Sequence, residues 1–147
     1  MKRIMVAVDL SEPSLRAVDV AAELAAKYDA ELTLMTVGHE VAGTDPGIEA
    51  YERMEHMQES VTALVIESLR EKLTDVRDRA AAKGARRIST DAYVGDAAQQ
   101  ILACAEAMQA DLIALGSRGH GRLVGLLLGS VAQKVSALAH CAVLVVH

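Results

Sequence analysis

Short apolar runs rich in β-branched residues alternate along this chain with longer stretches of helical periodicity, and that alternation admits few folds. Lys2 to Asp9, "KRIMVAVD", reads as a strand. "SEPSLRAVDVAAELAAKY" then reads as a helix, with Ser11 as N-cap and Pro13 in the first turn, where its missing N–H breaks no helical bond. Leu15, Val18, Ala22 and Ala25 recur at helical spacing and give it an apolar face. Glu31 to Val37 is a second strand, followed by the loop "GHEVAGTDPG", whose part from Gly43 to Gly47 is expected to be its most disordered. A long charged helix is expected from about Ile48 to Lys83, closed by Gly84. Met54, Met57, Val61 and Leu64 are expected to face inward on it, with a Met-rich peptide-binding surface as the alternative. "RRISTDAYVG" is a weaker third strand, Asp96 caps a helix running to Met108, and "DLIALG" is an apolar fourth strand. Ser130 opens the helix "SVAQKVSALA", and "CAVLVVH" is a fifth strand. The expected fold class is α/β, a parallel sheet with helices on both faces, and right-handed crossovers leave few strand orders.

The 147 residues suffice for one well-buried core and are too few for two ordinary domains, so a single domain over residues 1–147 is expected. With 52% hydrophobic residues but only 2% aromatic, that core must be built from Ala, Val, Leu, Ile and Met. The N-terminal "MKRIMVAVDLSEPS" meets a charge and a proline too soon for a secretory signal, and no apolar run is long enough to span a bilayer. A cytoplasmic protein is therefore expected. Cys104 and Cys141 lie in apolar contexts without metal-ligand spacing and read as reduced core thiols. The five histidines show no ligand spacing either, so no metal site is expected.

Charge is distributed unevenly. The formal net charge is −5, which argues against a nucleic-acid surface, yet all 20 acidic residues lie at or before Asp111. Beyond it stand only Arg118, Arg122 and Lys134 with His120, His140 and His147. Within that region, "LIALGSRGHGRLVGLLLGSVAQKV" packs Gly116, Gly119, Gly121 and Gly125 into ten residues and reaches a fifth glycine, Gly129, followed by Ser130. A loop that only turns a corner needs one or two glycines. This one either receives something against its backbone or moves, and its uncompensated positive field suits an anion.

In open α/β sheets ligands bind beyond the carboxyl ends of the strands, where the winding reverses. Asp9 ends the first strand and Gly116 the fourth. Were those strands neighbours, a carboxylate able to accept from ribose hydroxyls would face bare N–H groups able to cradle phosphate. The helix opening at Ser130 would add N–H donors, a dipole and a hydroxyl. "GHGRLVG" is not a dinucleotide fingerprint, because that motif belongs to the first βα turn and needs a later acid, which this chain lacks. An ordinary phosphate loop ending in lysine and serine or threonine is absent as well.

The spacing of Gly116, two residues, Gly119, nine residues, Gly129 and Ser130 resembles the nucleotide-binding signature of the ATP-binding class of universal stress proteins. The resemblance extends over nearly the whole chain through "VAVDLSEPSLRAV", "DLIALGSRGHG", "LLGSVAQKV" and "CAVLVV". It implies a Rossmann-like, doubly wound domain with a five-stranded parallel sheet in the order 3-2-1-4-5. It also implies that Asp9 holds the ribose, that Ala7 and Val37 lie near adenine, and that Leu115, Gly116, Arg118, Gly119, Gly129, Ser130 and Val131 line the phosphate path. ATP, ADP or AMP, with or without Mg2+, would be the ligand, and the protein would form a homodimer through its C-terminal strand. Ala142, where the family often has proline, is a departure that touches only the last strand's entry.

Two functions from different classes follow. The first is an adenine-nucleotide-binding regulatory protein of the stress response, acting through nucleotide-dependent association with an unidentified protein partner. The second is a slow ATP hydrolase or adenylate-forming enzyme, which would need a positioned base or a metal pair. Asp9 is the one carboxylate the expected site offers, so the regulatory reading is favoured. A nucleotide-free interaction module is disfavoured by the glycine signature.

Overall fold

The structure is a computed structural model that describes residues 1–39, 48–119 and 128–147, with residues 48–56 described as backbone only. Among the described residues five strands and four helices alternate: β1 (Arg3–Ala7), α1 (Glu12–Tyr28), β2 (Glu31–Gly38), α2 (Ile48–Ala82), β3 (Arg87–Val94), α3 (Ala97–Ala107), β4 (Leu112–Gly116), α4 (Ser130–Leu138) and β5 (Ala142–Val146). The strands form one parallel sheet in the order β3-β2-β1-β4-β5. This is the expected fold and order. The chain winds outward from β1 to β3, returns through α3, and winds the other way through β4 to β5, so the reversal falls between β1 and β4.

Period-two alternation divides the strand residues between two cores. Ile4 and Val6, with Leu32, Leu34, Leu112 and Ala114, face α1 and α2. Met5, Met35, Ile113 and Leu115 face α3 and α4. Both faces of the central strands are therefore covered, which explains why "RIMVA" and "LIALG" are apolar almost throughout. The layer under α1 is lined by Ala17, Ala21, Ala22 and Ala25 around Val18, small residues that bring the helix close to the sheet. Each fully buried Ile4, Leu32 or Leu34 contributes about 1.5–3 kcal/mol relative to exposure.

Local signals set the boundaries. The Ser11 side chain caps α1, accepting from Ser14 N–H, and proline occupies the first turn as expected. Asp29, in a left-handed conformation, ends that helix by donating its N–H to Ala25 O. Asp96 caps α3 through Gln99 N–H. Gly84 follows α2 at φ 99°, a conformation that favours glycine.

One expectation fails on α2. Met57 and Leu64, taken from the sequence as an inward face with Val61, are 65% and 71% exposed, and Val61 is exposed too. The side chain of Met54 lies outside the described residues. The reason is length: 35 helical residues extend about 50 Å, twice the span of the eight-residue β2 beside them. Val65 and Leu69 lie over Gly38, the last residue of β2, and Leu73, Val76 and Ala80 carry the packing below it. Whatever precedes Val65 has passed the sheet's carboxyl edge. The periodicity was real, but there is no sheet beneath it to cover that stripe.

Among the described residues no helix is long and apolar enough to cross a membrane, and no group of three metal-binding side chains occurs. Cys104 and Cys141 form no disulfide, and burial pushes both thiols above the ordinary range. The loop from Gly43 to Gly47, His120, and the segment carrying Gly121, Arg122 and Gly125 lie outside the described residues.

Candidate functional site

A cleft of about 350 Å³ opens where the winding reverses, above the carboxyl ends of β1 and β4. Ala7 and Asp9 reach it from β1 and the turn after it, Val37 from β2, and Leu115, Gly116, Arg118 and Gly119 from β4 and its loop. Gly129, Ser130 and Val131 reach it from the start of α4. All ten residues singled out in the sequence thus line one cavity.

The Asp9 carboxylate is oriented by the turn that follows β1. Its Oδ1 accepts from Ser11 N–H at 2.9 Å and from the Ser11 hydroxyl, and Asp9 N–H donates to Ser14 Oγ at 3.4 Å. The Ser11 hydroxyl also lies 3.3 Å from the carbonyl of Arg118, which ties the β1 turn to the loop after β4. The same serine that caps α1 therefore orients the carboxylate, leaving it at the mouth of the cleft, exposed.

The three described glycines of the signature differ in what surrounds them. A Cβ at Gly116 would stand 2.7 Å from Ser14 N and 2.9 Å from Pro13 C, so this glycine admits the backbone of α1. A Cβ at Gly119 would fall 2.4 Å from Asp9 Oδ2, so this one admits the carboxylate. Around Gly129 no described atom would come closer to a Cβ than 3.5 Å, an ordinary contact. The described protein atoms therefore do not by themselves require glycine at position 129.

The two ends of the glycine-rich segment are drawn together. Gly129 N–H donates to the Ser117 carbonyl at 2.7 Å, and the N–H of buried Ser117 donates to the Val146 carbonyl at 2.7 Å. Gly129 is the N-cap of α4, with Ser130 in the first turn, and no described side chain caps this helix, whereas α1 and α3 have Ser11 and Asp96. Its first-turn N–H groups and positive dipole end point at the cleft beside exposed Arg118. Lys134 of α4 is paired with Asp96 at 3.6 Å.

Toward β2 the walls turn apolar, and Met35, Ala97 and Ile101 line the cleft with Val37. Hydrogen-bond parity adds a polar feature there. Met35 O accepts from Val8 N–H on the β1 side, while Gly38 O accepts from Gly95 N–H on the β3 side. Val37 shares the parity of Met35, so its N–H and C=O point to the β1 side, beyond Ala7, the last residue of β1.

Sequence reasoning missed Val8, Ser14, Met35, Thr36, His39, Ala97, Ile101, Ser117, Leu128 and Ala132, which also line the cleft. Met35 and His39 were within reach, since they flank Val37 at period two. Ala97 and Ile101 stand at helical spacing in the first turns of α3, the helix that crosses back over the sheet, and the strand order alone could have placed them.

An all-parallel doubly wound sheet, with its cleft at the point of reversal and a glycine-flanked helix start on the rim, defines the class of this molecule. Residues 1–147 match the model of the universal stress protein family. The universal stress protein YxiE of Bacillus subtilis is 34% identical over 146 residues, covering 99% of this chain and 98% of its own. A universal stress protein solved in complex with cAMP is 29% identical with a TM-score of 0.73, over 99% of this chain and 96% of that one. Protein MJ0577, at 24% identity, shares the fold with a TM-score of 0.81 over 99% of this chain and 94% of that one. The chain belongs to the universal stress protein family.

Proposed function

We propose that this protein binds an adenine nucleotide in the cleft and acts as a regulatory module, through nucleotide-dependent association with a partner protein, rather than as a fast catalyst. The observation that carries this reading is the convergence on one cavity of a pre-oriented carboxylate, Asp9, and a helix start that no described side chain caps, flanked by Gly119 and Gly129. The carboxylate suits ribose hydroxyls, the N–H groups and Arg118 suit phosphate, and the apolar β2 side with the backbone pair of Val37 suits a purine edge carrying one donor and one acceptor. The relative in complex with cAMP supports the same ligand class.

ATP, ADP and AMP share these groups and differ only in phosphates beyond the first. Mg2+, if present, would be held chiefly by phosphates and water, since the described cleft offers one carboxylate. The same scarcity weighs against hydrolysis: a carboxylate committed to Ser11 and placed for ribose is a poor base for water, and no lysine lines the described cavity.

The test is direct. Purified protein, denatured and filtered, should release an adenine nucleotide identifiable by mass, and titration with ATP and AMP should give saturable heats. With excess ATP and Mg2+, phosphate release should be at least three orders of magnitude slower than the median enzyme turnover of about 10 per second. Ser130→Ala should weaken ATP binding by about 0.5–3 kcal/mol through one lost hydrogen bond. A turnover near 1 per second that vanishes in Asp9→Asn with binding retained would make the protein an enzyme.

A further inference from the structure

His39 has no part in the reading above, yet it lines the cleft. Met35, Val37 and His39 succeed one another at period two on the side of β2 that faces the cavity. Met35 is fully buried and Val37 half-buried. His39, just past the strand, is exposed, and no described residue hydrogen-bonds or ion-pairs with it. Thr36 lies on the opposite face by the same alternation. Thr36 borders the cleft too, with its side chain on that other face, and among the side chains of Met35, Val37, His39, Ala97 and Ile101 only the imidazole carries a hydrogen-bonding nitrogen or oxygen.

We propose that His39 is a specificity-determining residue that hydrogen-bonds the base of the bound nucleotide, next to the edge met by the Val37 backbone. This rests on the adenine-nucleotide reading of the cleft. An adenine inserted between apolar side chains takes several ring nitrogens and an amine out of water, and the N–H and C=O of one residue meet only two of them. A neutral imidazole has one donor and one acceptor, so it can serve a remaining nitrogen or the amine. Its place at the exposed end of the β2 wall lets it do so without being buried itself.

The experiment is calorimetric titration of AMP and of ribose 5-phosphate into the wild type, His39→Ala and His39→Gln at about pH 7.5. The His39 imidazole proton resonance, assigned by its loss in the alanine variant, is followed in parallel. AMP should bind the wild type, His39→Ala should lose about two- to tenfold in affinity, the effect of one neutral hydrogen bond, and His39→Gln should recover part of it. The resonance should move with AMP and stay in place with ribose 5-phosphate, which lacks the base. Unchanged AMP affinity in His39→Ala, or a resonance moved as far by ribose 5-phosphate, overturns the role of His39 and leaves the cleft's ligand class standing. Failure of AMP to bind the wild type overturns both. Circular dichroism of each variant separates misfolding from a lost contact.

Discussion

Gly116, Gly119 and Gly129 stand in one motif, and each lacks a side chain for a different reason. Gly116→Ala drives a methyl into the backbone of Pro13 and Ser14, which cannot yield as a flexible side chain would. It should cost about 1–3 kcal/mol in denaturant unfolding whether or not nucleotide is present. Gly129→Ala meets no close neighbour, so its cost should stay near 1 kcal/mol or below, the scale of an N-cap change. If phosphate sits against the α4 start, this variant should nevertheless lose most of its nucleotide affinity. Gly119→Val should also abolish binding, by displacing Asp9, with the fold retained. Unfolding curves and calorimetry on the three variants should thus divide one motif into a packing position and two ligand positions. The spacing of glycines in the sequence marks all three alike, because a missing side chain does not record what occupies its place.

Among the elements, the described strands and helices lie close to where the sequence puts them, because caps at Ser11 and Asp96 and the alternation of apolar residues are local signals. What a helix face meets is not local, and α2 is the case in point. Met57, Val61 and Leu64 have the spacing of a buried stripe but project past the sheet, whereas the packed half of the helix uses Leu73, Val76 and Ala80. That half is also tied to α1 by charge. Arg79 grips Asp19 with two bonds of 2.7 and 2.6 Å, and Lys83 lies 3.4 Å from Glu23 one turn further on. The hydrogen bonds from Arg79 hold the Asp19 carboxyl below the usual carboxylate range, against a smaller opposing effect of burial. A depressed folded-state pKa gives stability that is present above about pH 4, the unfolded value, and is lost as pH falls through the folded value. Asp19→Asn should therefore destabilise by about 1 kcal/mol or less near neutrality. It should also flatten the acid limb of the stability curve, as read by urea midpoints between pH 2 and 6.

For the molecule as a whole, β5 ends the strand order and has a single described neighbour, β4. All but the first of its residues are half-buried, none pairs with a described strand other than β4, and its side chains pack into both cores, with Val143 and Val145 on the α4 side. Charged replacements of those valines would therefore damage the fold along with any interface. Parity offers a cleaner probe: Val146 O accepts from Ser117 N–H on the β4 side, so Val143 and Val145 direct their backbone groups outward. If the homodimer implied by the family likeness forms through this edge, Val145→Pro removes an outward donor while sparing the β4 ladder. It should convert dimer to monomer in sedimentation velocity at tens of micromolar. A wild type already monomeric there would end the idea. The bond from Ser117 to Val146 has a consequence for biosynthesis as well. Asp9 precedes β5 in the chain, yet the loop after β4 is pinned through β5. If the cleft binds the proposed nucleotide, a nascent chain on the ribosome carries its carboxylate before the loop after β4 is held, and it should acquire ligand only once β5 has emerged.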